Sequence, residues 1–260
     1  MADFAGKTAL IFGVANHNSV AWPIAQQLAE QGARVALTYQ ERMENNVRKL
    51  AATLPGNALV LPCDVQNDEQ LDAVFEQAGN ELGGLDILLH SVAYAPTEDL
   101  RGRVADVTRQ GFLTAVDISA FSLIAMARRA EPLMQPRGGG SIVAMTYLGS
   151  ERVVPGYNLM GLAKATLEAA IRYLAWELGA AGVRVNGISA GPMRTLSARG
   201  VGHINSVIDM MEEKAPLHRS MSQADVADLA LFLFSDNAKN MTGNIEYVDS
   251  GFHVMGLGSM

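Results

Sequence analysis

The stretch that decides the fold prediction is TALIFGVANHNSVAWPIAQQL, residues 8–28, in which an apolar run leads through a polar loop into a helical pattern. A strand that feeds a helix in this way is the usual place for a nucleotide phosphate. Such loops normally carry several glycines, because glycine lets the backbone approach the phosphate closely. Here the loop keeps only Gly13, followed by the polar residues NHNS at 16–19. The pattern alone leaves two interpretations open, a dinucleotide site and an ordinary turn between strand and helix.

Short apolar runs alternate with helical patterns along the whole chain. Most of these runs are nearly continuous in apolar residues, as strands covered on both faces are. We predict strands at residues 8–12, 34–39, 58–63, 86–91, 141–146, 183–189 and 244–248. This alternation predicts an α/β fold, a single-domain Rossmann-type doubly wound parallel sheet of about seven strands with helices on both faces. Asn67 and Gln70 predict a capping box at the start of the helix that runs towards Leu82.

Composition bounds the class of protein. The chain has 260 residues without a linker or composition break, so we expect residues 1–260 to form one catalytic domain. A net charge of −7 argues against non-specific binding to nucleic acid or to an anionic membrane. Cys63 is the only cysteine, which excludes an intrachain disulfide, and its surroundings predict no metal site. The first apolar run is too short for a signal peptide or membrane span, so we expect a cytoplasmic location.

The candidate cofactor residues begin with Ser19. This residue suits the N-cap of the first helix, where its hydroxyl accepts a hydrogen bond from an amide one turn on. In a dinucleotide site the same helix end attracts pyrophosphate, and the Ser19 hydroxyl donates to it. At the end of the second strand, Gln40 is suited to bind a ribose hydroxyl and Glu41 repels a 2′-phosphate, whereas Arg42 attracts one. The balance favours NADH as the cofactor.

Asp64 and Val65 follow the third predicted strand, at the edge where ligands bind in doubly wound sheets. Asp64 is either a solvated turn residue or a partner for the adenine amino group with Val65 packed on the ring. Its position at the ligand-binding edge favours the second interpretation.

Tyr157 and Lys164, in YNLMGLAKA at residues 157–165, form the candidate catalytic pair. Seven residues of an α-helix turn through about 700°, so the two side chains lie on one face and Lys164 reaches back towards Tyr157. A lysine cation there favours the phenolate, so we expect the pKa of Tyr157 to lie below its ordinary value of about 10. A half-buried tyrosine beside a solvent-seeking lysine is the alternative. Tyr147 favours catalysis, because it ends the fifth strand at the same edge.

These motifs together resemble the short-chain dehydrogenase/reductase superfamily. The resemblance rests on the Gly13 loop, Asp64-Val65, the Tyr157/Lys164 helix and the SAGP turn at residues 189–192. Ordinary members carry Tyr-x-x-x-Lys and an upstream serine. Here the spacing is Tyr-x6-Lys, and Ala144 stands at the position of that serine.

Those departures resemble one divergent branch, the NADH-dependent enoyl-acyl-carrier-protein reductases of bacterial fatty-acid synthesis. The branch also has the glycine-poor loop, TYQ at residues 38–40, SVAYAP at 91–96, RVNGISAGPMRTLSA at 184–198 and DSGFH at 249–253. The resemblance covers essentially the whole chain. It implies reduction of the trans-2 double bond of enoyl thioesters on acyl carrier protein by hydride from NADH, and it implies a homotetramer.

The resemblance also implies roles for individual residues. Tyr157 donates a hydrogen bond to the thioester oxygen, Lys164 anchors the nicotinamide ribose, and Tyr147 orients the thioester or assists protonation. The implied cofactor contacts are Gly13, Ser19, Val20, Gln40, Asp64, Val65, Val92, Lys164, Met193, Arg194, Thr195, Leu196 and Ser197. Ala95 is the implied substrate contact.

Residues 194–212 form the candidate substrate-binding lid, because glycines there alternate with apolar residues. They form either an amphipathic helix packed on the core or a mobile lid that lines an acyl channel, and we favour the lid. Two other functions stay open. One is an NAD(P)-dependent carbonyl reductase of the same fold, and the other is a catalytically inactive nucleotide-sensing module, against which Tyr157 and Lys164 argue.

Overall fold

The computed structural model describes residues 3–100, 102–195 and 204–256. Within them the strands are β1 (Thr8–Phe12), β2 (Arg34–Tyr39), β3 (Leu59–Pro62), β4 (Ile87–His90), β5 (Gly140–Thr146), β6 (Val183–Ala190) and β7 (Ile245–Val248). The α-helices are α1 (Ala21–Glu30), α2 (Glu44–Ala51), α3 (Asp68–Leu82), α4 (Thr97–Leu100), α5 (Arg109–Val116), α6 (Ser122–Met134), α7 (Asn158–Leu178), α8 (Ile204–Lys214) and α9 (Gln223–Phe234). A π-helical turn, Asp117–Phe121, joins α5 to α6, and a 3₁₀ turn, Leu148–Ser150, precedes α7.

The seven strands form one parallel sheet in the order β3-β2-β1-β4-β5-β6-β7. The predicted doubly wound α/β fold is therefore confirmed. The order reverses between β1 and β4, which are neighbours in the sheet although two strands separate them in the chain. A crevice opens at such a switch point, beyond the carboxyl ends of the strands, and ligands bind there.

Alternation along β1 explains why helices cover both faces. Ala9 and Ile11 point into one core with residues of α1 and α9, whereas Leu10 and Phe12 point into a second core with residues of α3, α6 and α7. All five residues of β1 are buried. Successive side chains of a strand point to opposite faces, so a strand at the centre of a two-sided fold must be apolar throughout.

The start of α3 confirms half of the predicted capping box. The Asn67 side chain accepts a hydrogen bond from the Gln70 amide at 3.1 Å. The Gln70 side chain does not return to Asn67, because its Oε1 accepts from the Asp64 backbone N–H at 2.7 Å. Gln70 thus ties the helix to the residue that follows β3.

Among the described residues, one helical stretch, Arg109–Arg137, is long and apolar enough to cross a membrane by length and composition, with a mean hydropathy of 1.4. More than half of the most apolar part of this stretch, 56%, is buried inside the protein. The stretch contains α5 and α6, and the buried side of α6 belongs to the second core, so its apolar character serves packing against the sheet.

Candidate active site

Gly13 brings the ends of β1 and β4 into close contact at the switch point. The residue has a φ of +106°, and a Cβ added there would overlap the backbone carbonyl of Ser91, which follows β4. The Ser91 amide in turn donates to the Phe12 carbonyl at 3.2 Å. Only glycine fits this position, so its conformation and its packing both favour a backbone cradle for a ligand over an ordinary turn.

Ser19 does not cap α1, so that prediction was wrong. The helix begins at Ala21, and Val20 occupies the N-cap position with helical backbone angles. The buried Ser19 hydroxyl instead folds back and accepts hydrogen bonds from the amides of Ala15 and Asn16, at 3.0 and 3.2 Å. The chain already turns before the helix, because the Trp22 amide donates to the Ser19 carbonyl. With two donors on its oxygen, the hydroxyl retains its own hydrogen to donate to a ligand.

Tyr147 and Tyr157 lie against each other at the carboxyl edge of the sheet. Their ring centroids are 4.7 Å apart with an interplanar angle of 66°, an edge-to-face arrangement. Tyr147 follows β5 directly, and Tyr157 occupies the N-cap position of α7. The two aromatic residues therefore converge as the sequence predicted.

Two glycines make this contact possible. A Cβ on Gly149, in the turn after Tyr147, would overlap the Tyr157 ring, and a Cβ on Gly161 in α7 would lie 2.7 Å from the Gly149 carbonyl oxygen. The turn and the helix thus approach each other backbone to backbone. Sequence reasoning missed both residues, although Gly161 inside a helical pattern was a signal, since such a glycine costs about 1 kcal/mol relative to alanine and marks close packing.

Lys164 is buried, with 5% of its surface exposed, and its Nζ donates to the Met145 carbonyl at 2.7 Å. This bond fixes the ammonium group under the end of β5, two residues before Tyr147. Burial lowers the pKa of Lys164 to about 8, and the Glu168 carboxyl one turn along α7 opposes that shift. Lys164 is therefore protonated at neutral pH.

The expected decrease in the pKa of Tyr157 was wrong. Burial raises the pKa of Tyr157 above its ordinary value, and Tyr147 and Glu168 add to the increase. Burial also raises the pKa of Tyr147. The lysine cation does not outweigh removal of the phenol from water, so both tyrosines hold their protons and are available as hydrogen-bond donors.

His90, at the end of β4, is fully buried near this site. Its Nε2 lies 2.7 Å from the Ser122 hydroxyl, which donates to the Ile118 carbonyl, so the histidine donates through Nε2. Its Nδ1 has no hydrogen-bond partner. Burial and the charge of Lys164 lower the pKa of His90 to about 3. The imidazole is therefore a neutral group that leaves the positive charge to Lys164.

A family model described as enoyl-(acyl carrier protein) reductase matches residues 13–253. The chain belongs to this family. An NADH-dependent enoyl-[acyl-carrier-protein] reductase of Bacillus cereus is 54% identical to it over 253 residues, covering 96% of this chain and 98% of the relative.

Solved structures of enoyl reductases share the architecture. The Bacillus cereus enoyl-acyl carrier protein reductase, crystallised with NADP+ and indole naphthyridinone, gives a TM-score of 0.96 at 53% identity and covers 99% of this chain and 100% of that chain. The reductase of Anaplasma phagocytophilum, in complex with NAD, gives a TM-score of 0.94 at 43% identity and covers 100% of this chain and 99% of that chain. The resemblance drawn from the sequence motifs is thereby confirmed at the level of family and fold.

Two of the residues predicted to bind the adenosine end of the cofactor, Gln40 and Asp64, are exposed. Gln40 follows β2, and the Arg42 guanidinium donates to its Oε1 from Nε and Nη2 at 3.2 and 3.0 Å. Asp64, also exposed, accepts from the Gln66 amide at 3.1 Å, which is the bond expected of a turn residue. Both interpretations of Asp64 are therefore compatible with its surroundings. Val65 is partly buried against the second core.

The loop after β4 is held by Ser119 of the π-helical turn. The Ser119 hydroxyl accepts from the Tyr94 amide at 3.1 Å and donates to the Tyr94 carbonyl at 3.2 Å. Ala95 follows and is buried beside Leu159 and Met160 at the start of α7. Val92, at the start of the loop, packs on the second core. The loop therefore places the implied substrate contact next to the catalytic helix.

The segment after β6 leads from Gly191 to the candidate lid. Met193 is buried, Arg194 is exposed, and the Thr195 amide donates to the Met193 carbonyl at 2.9 Å. Leu196 and Ser197 lie outside the described residues, as do residues 198–203 of the proposed lid. Besides Arg194 and Thr195, the described part of the candidate lid is residues 204–212 of α8, among which Ile208 and Met211 are buried. A small crevice lined by Tyr147, Pro192, Met211 and Phe252 joins α8 to the tyrosine pair.

Among residues 3–100, 102–195 and 204–256, no group of three or more His, Cys, Asp or Glu side chains is placed to hold a metal ion.

Proposed function

We propose that Tyr157 is the oxyanion donor of this enoyl-acyl-carrier-protein reductase. In the family's reaction, hydride adds to the β-carbon of a trans-2-enoyl thioester, and negative charge develops on the thioester oxygen. The observation that carries the proposal is the contact of Tyr157 with Tyr147 beside the buried Lys164, at the carboxyl edge of the sheet. Reduced nicotinamide, when bound, supplies the hydride.

The raised pKa of Tyr157 suits this role. A phenol that keeps its proton can donate a hydrogen bond to the oxygen on which negative charge develops. Tyr147 contacts Tyr157 and lines the crevice, and in our proposal it orients the thioester or assists protonation of the α-carbon. Tyr157→Phe keeps the ring and removes the donor, and a variant that reduces an enoyl thioester at the wild-type rate would contradict the assignment.

Several residues are suited to hold the dinucleotide. In our proposal the Gly13 cradle and the donor hydrogen of Ser19 hold the pyrophosphate, and Lys164 binds the nicotinamide ribose; the tight turn at Gly13, the free hydrogen of Ser19 and the fixed ammonium group of Lys164 support these roles. Val20, Gln40, Asp64, Val65, Val92, Met193, Arg194 and Thr195, together with Leu196 and Ser197, complete the proposed contacts.

We propose NADH as the preferred cofactor, because Glu41 follows Gln40 and repels a 2′-phosphate, while Arg42 is engaged by the Gln40 side chain. The Bacillus cereus structure holds NADP+, so both cofactors are to be compared by kcat/KM with one enoyl thioester. We expect a higher kcat/KM with NADH than with NADPH. Glu41→Gln should reduce the ratio of the two kcat/KM values. Equal use of both by the wild-type protein would contradict the proposal.

Residues 194–212 serve in our proposal as a lid over the acyl chain, within a single catalytic domain formed by residues 1–260. The support is the crevice between Tyr147, Met211 and Phe252, whose apolar side chains suit an acyl chain. Ala95 contacts the substrate from the opposite loop. Met211→Glu should raise KM for long enoyl thioesters more than for crotonyl thioester, and equal effects on both would contradict the lid.

The alternative, a carbonyl reductase, is disfavoured by Ala144. This residue is fully buried in β5, so it offers no hydroxyl where ordinary members of the superfamily carry serine. Oxidation of NADH with ketones but not with enoyl thioesters would favour the alternative.

A homotetramer is supported by exposed apolar side chains on neighbouring helices. Tyr173 and Trp176 of α7 are 71% and 80% exposed. Phe112 and Leu113 of α5, Phe121 of the π-helical turn and Ile124 of α6 are also exposed, and these elements pack beside α7. Large exposed apolar patches mark interaction sites, and a second copy of the same chain is the commonest partner. Light scattering should give four chains, and a monomer would contradict the proposal.

The proposed macromolecular substrate is acyl carrier protein bearing enoyl chains, in the cytoplasm. Cys63 is buried and burial raises its pKa to about 12, so the chain keeps an unreactive thiol. The net charge of −7 argues against nucleic acid and anionic membranes as partners. Cell fractionation tests the location, and recovery in the membrane fraction would contradict it.

A further inference from the structure

Glu168 is a buried carboxyl group to which the reaction outlined above gives no role. Only 4% of its surface is exposed. Its Oε1 accepts hydrogen bonds from the hydroxyls of Thr146 and Ser150, both at 2.6 Å. Buried carboxyl groups are costly unless they are hydrogen-bonded and paired with charge, so a buried carboxyl beside an active site requires an explanation.

The two donors bracket the segment that carries Tyr147. Thr146 is the last residue of β5, and Ser150 is the last residue of the 3₁₀ turn that follows Tyr147. One oxygen of Glu168 therefore binds the two residues that flank residues 147–149. The bond from Lys164 to the Met145 carbonyl adds a third attachment, from the preceding turn of the same helix to the residue before Thr146.

The charge of Glu168 also acts on its neighbours. It supports the ammonium form of Lys164 against burial, and it favours the protonated phenols of Tyr157 and, from β7, of Tyr247. His90, which faces Lys164 from β4, is neutral and supplies no compensating charge. Glu168 thus lies one helical turn along α7 from the buried Lys164 and opposes the effect of burial on the pKa of that lysine.

We propose that Glu168 is a positioning residue of this reductase, which clamps the Tyr147 segment to α7 one helical turn from Lys164. The proposal deepens the function proposed above and rests on it for its catalytic consequence. Glu168 touches neither substrate nor cofactor in this role, and acts through Tyr147 and Lys164.

The electrostatic effect of Glu168 on Lys164 is tested by NMR on the protein without cofactor. The chain has five lysines, so ¹³C labelling at their Cε carbons gives few signals, and Lys164→Arg assigns the one of interest. Glu168→Gln should lower the midpoint of the Lys164 titration by about one pH unit, the lower end of the effect of a nearby opposite charge. Glu177→Gln, on the exposed side of the same helix, should leave it unchanged. An unchanged midpoint in Glu168→Gln would overturn the charge role.

The clamp is tested by Ser150→Ala, which removes one donor and leaves the carboxylate in place. The Tyr147 and Tyr157 ring signals, two of six tyrosines, should shift because the edge-to-face contact is altered. The kcat with an enoyl thioester should fall about tenfold with a smaller change in KM, because misplaced catalytic groups slow the chemical step. Ser235→Ala is the control, because it removes a hydroxyl that follows α9 and donates to the Phe232 carbonyl. It should change neither the tyrosine ring signals nor kcat.

The outcomes separate the two levels of the proposal. If wild-type protein reduces no enoyl thioester, the proposed function fails, while the lysine and tyrosine signals still decide the role of Glu168. If Glu168→Gln does not fold, as judged by circular dichroism, Ser150→Ala decides alone. Wild-type ring signals together with wild-type kcat in Ser150→Ala would overturn the clamp.

Discussion

Gly161→Ala sets two effects against each other within α7. Alanine is favoured over glycine inside a helix by about 0.8–1.0 kcal/mol, so the substitution would stabilise an open helical site. At this position, however, the new Cβ would lie 2.7 Å from the Gly149 carbonyl oxygen. That oxygen belongs to the backbone of the turn after Tyr147 and has no rotamer through which to escape.

The cost of the contact exceeds the gain. Relieving it requires the turn to move by roughly half an ångström away from α7, and overpacking of this kind costs about 1–3 kcal/mol. We therefore expect the free energy of unfolding of Gly161→Ala to fall by up to about 2 kcal/mol. Because the same turn carries Gly149 against the Tyr157 ring, kcat should fall by about 10- to 100-fold.

Gly179→Ala is the matched control. Gly179 follows the last turn of α7 with helical angles, and a Cβ there meets nothing within 4 Å. Its substitution should leave kcat unchanged and increase the free energy of unfolding by up to about 1 kcal/mol. Urea unfolding and steady-state reduction of crotonyl thioester measure both quantities. If Gly161→Ala were as stable and as active as Gly179→Ala, the backbone contact between turn and helix would not matter.

Three further predictions concern the site itself. Tyr157→Phe should lower kcat by about 10²–10³ with little change in KM, as measured by steady-state kinetics. The kcat/KM of the wild-type protein should fall as pH rises through about 8, because Lys164 loses its proton there. In Lys164→Arg this decrease should be absent, because the guanidinium stays protonated. Gly13→Ala should abolish NADH binding in a fluorescence titration and destabilise the fold, whereas Gly56→Ala, with a similarly positive φ in open space, should affect stability alone.

The strands could be predicted because burial on both faces is recorded locally. β1 and β2 have the predicted bounds, since every inward and outward position is apolar or nearly so. β3 is shorter by one residue at each end, because its ladder with β2 stops where Tyr39 pairs with Pro62. Strand ends depend on the partner strand, which lies elsewhere in the chain.

The site was only partly predictable, because its chemistry depends on contacts between distant residues. The meeting of Tyr147, Tyr157 and Lys164 follows from strand ends and helical spacing. The pKa of Tyr157 does not, since it depends on burial and on Glu168. Ser19 does not cap α1 as expected, because the chain turns before the helix begins and the hydroxyl binds the loop amides instead. The close contact of Gly13 with Ser91 is between residues that follow two different strands, β1 and β4. It therefore cannot be predicted from the sequence of the loop alone.

The unusual spacing of Tyr157 and Lys164 has a structural reason in α7. At about 100° per residue, positions 157, 161, 164 and 168 fall within about 60° of one another on a single helical face. Ordinary members of the superfamily carry lysine four residues after the tyrosine, and that position here is Gly161. The missing side chain lets the turn after Tyr147 rest on the helix, and the lysine stands one turn further on, where it binds the Met145 carbonyl. The longer spacing therefore leaves room for the turn after Tyr147, which a side chain at position 161 would displace.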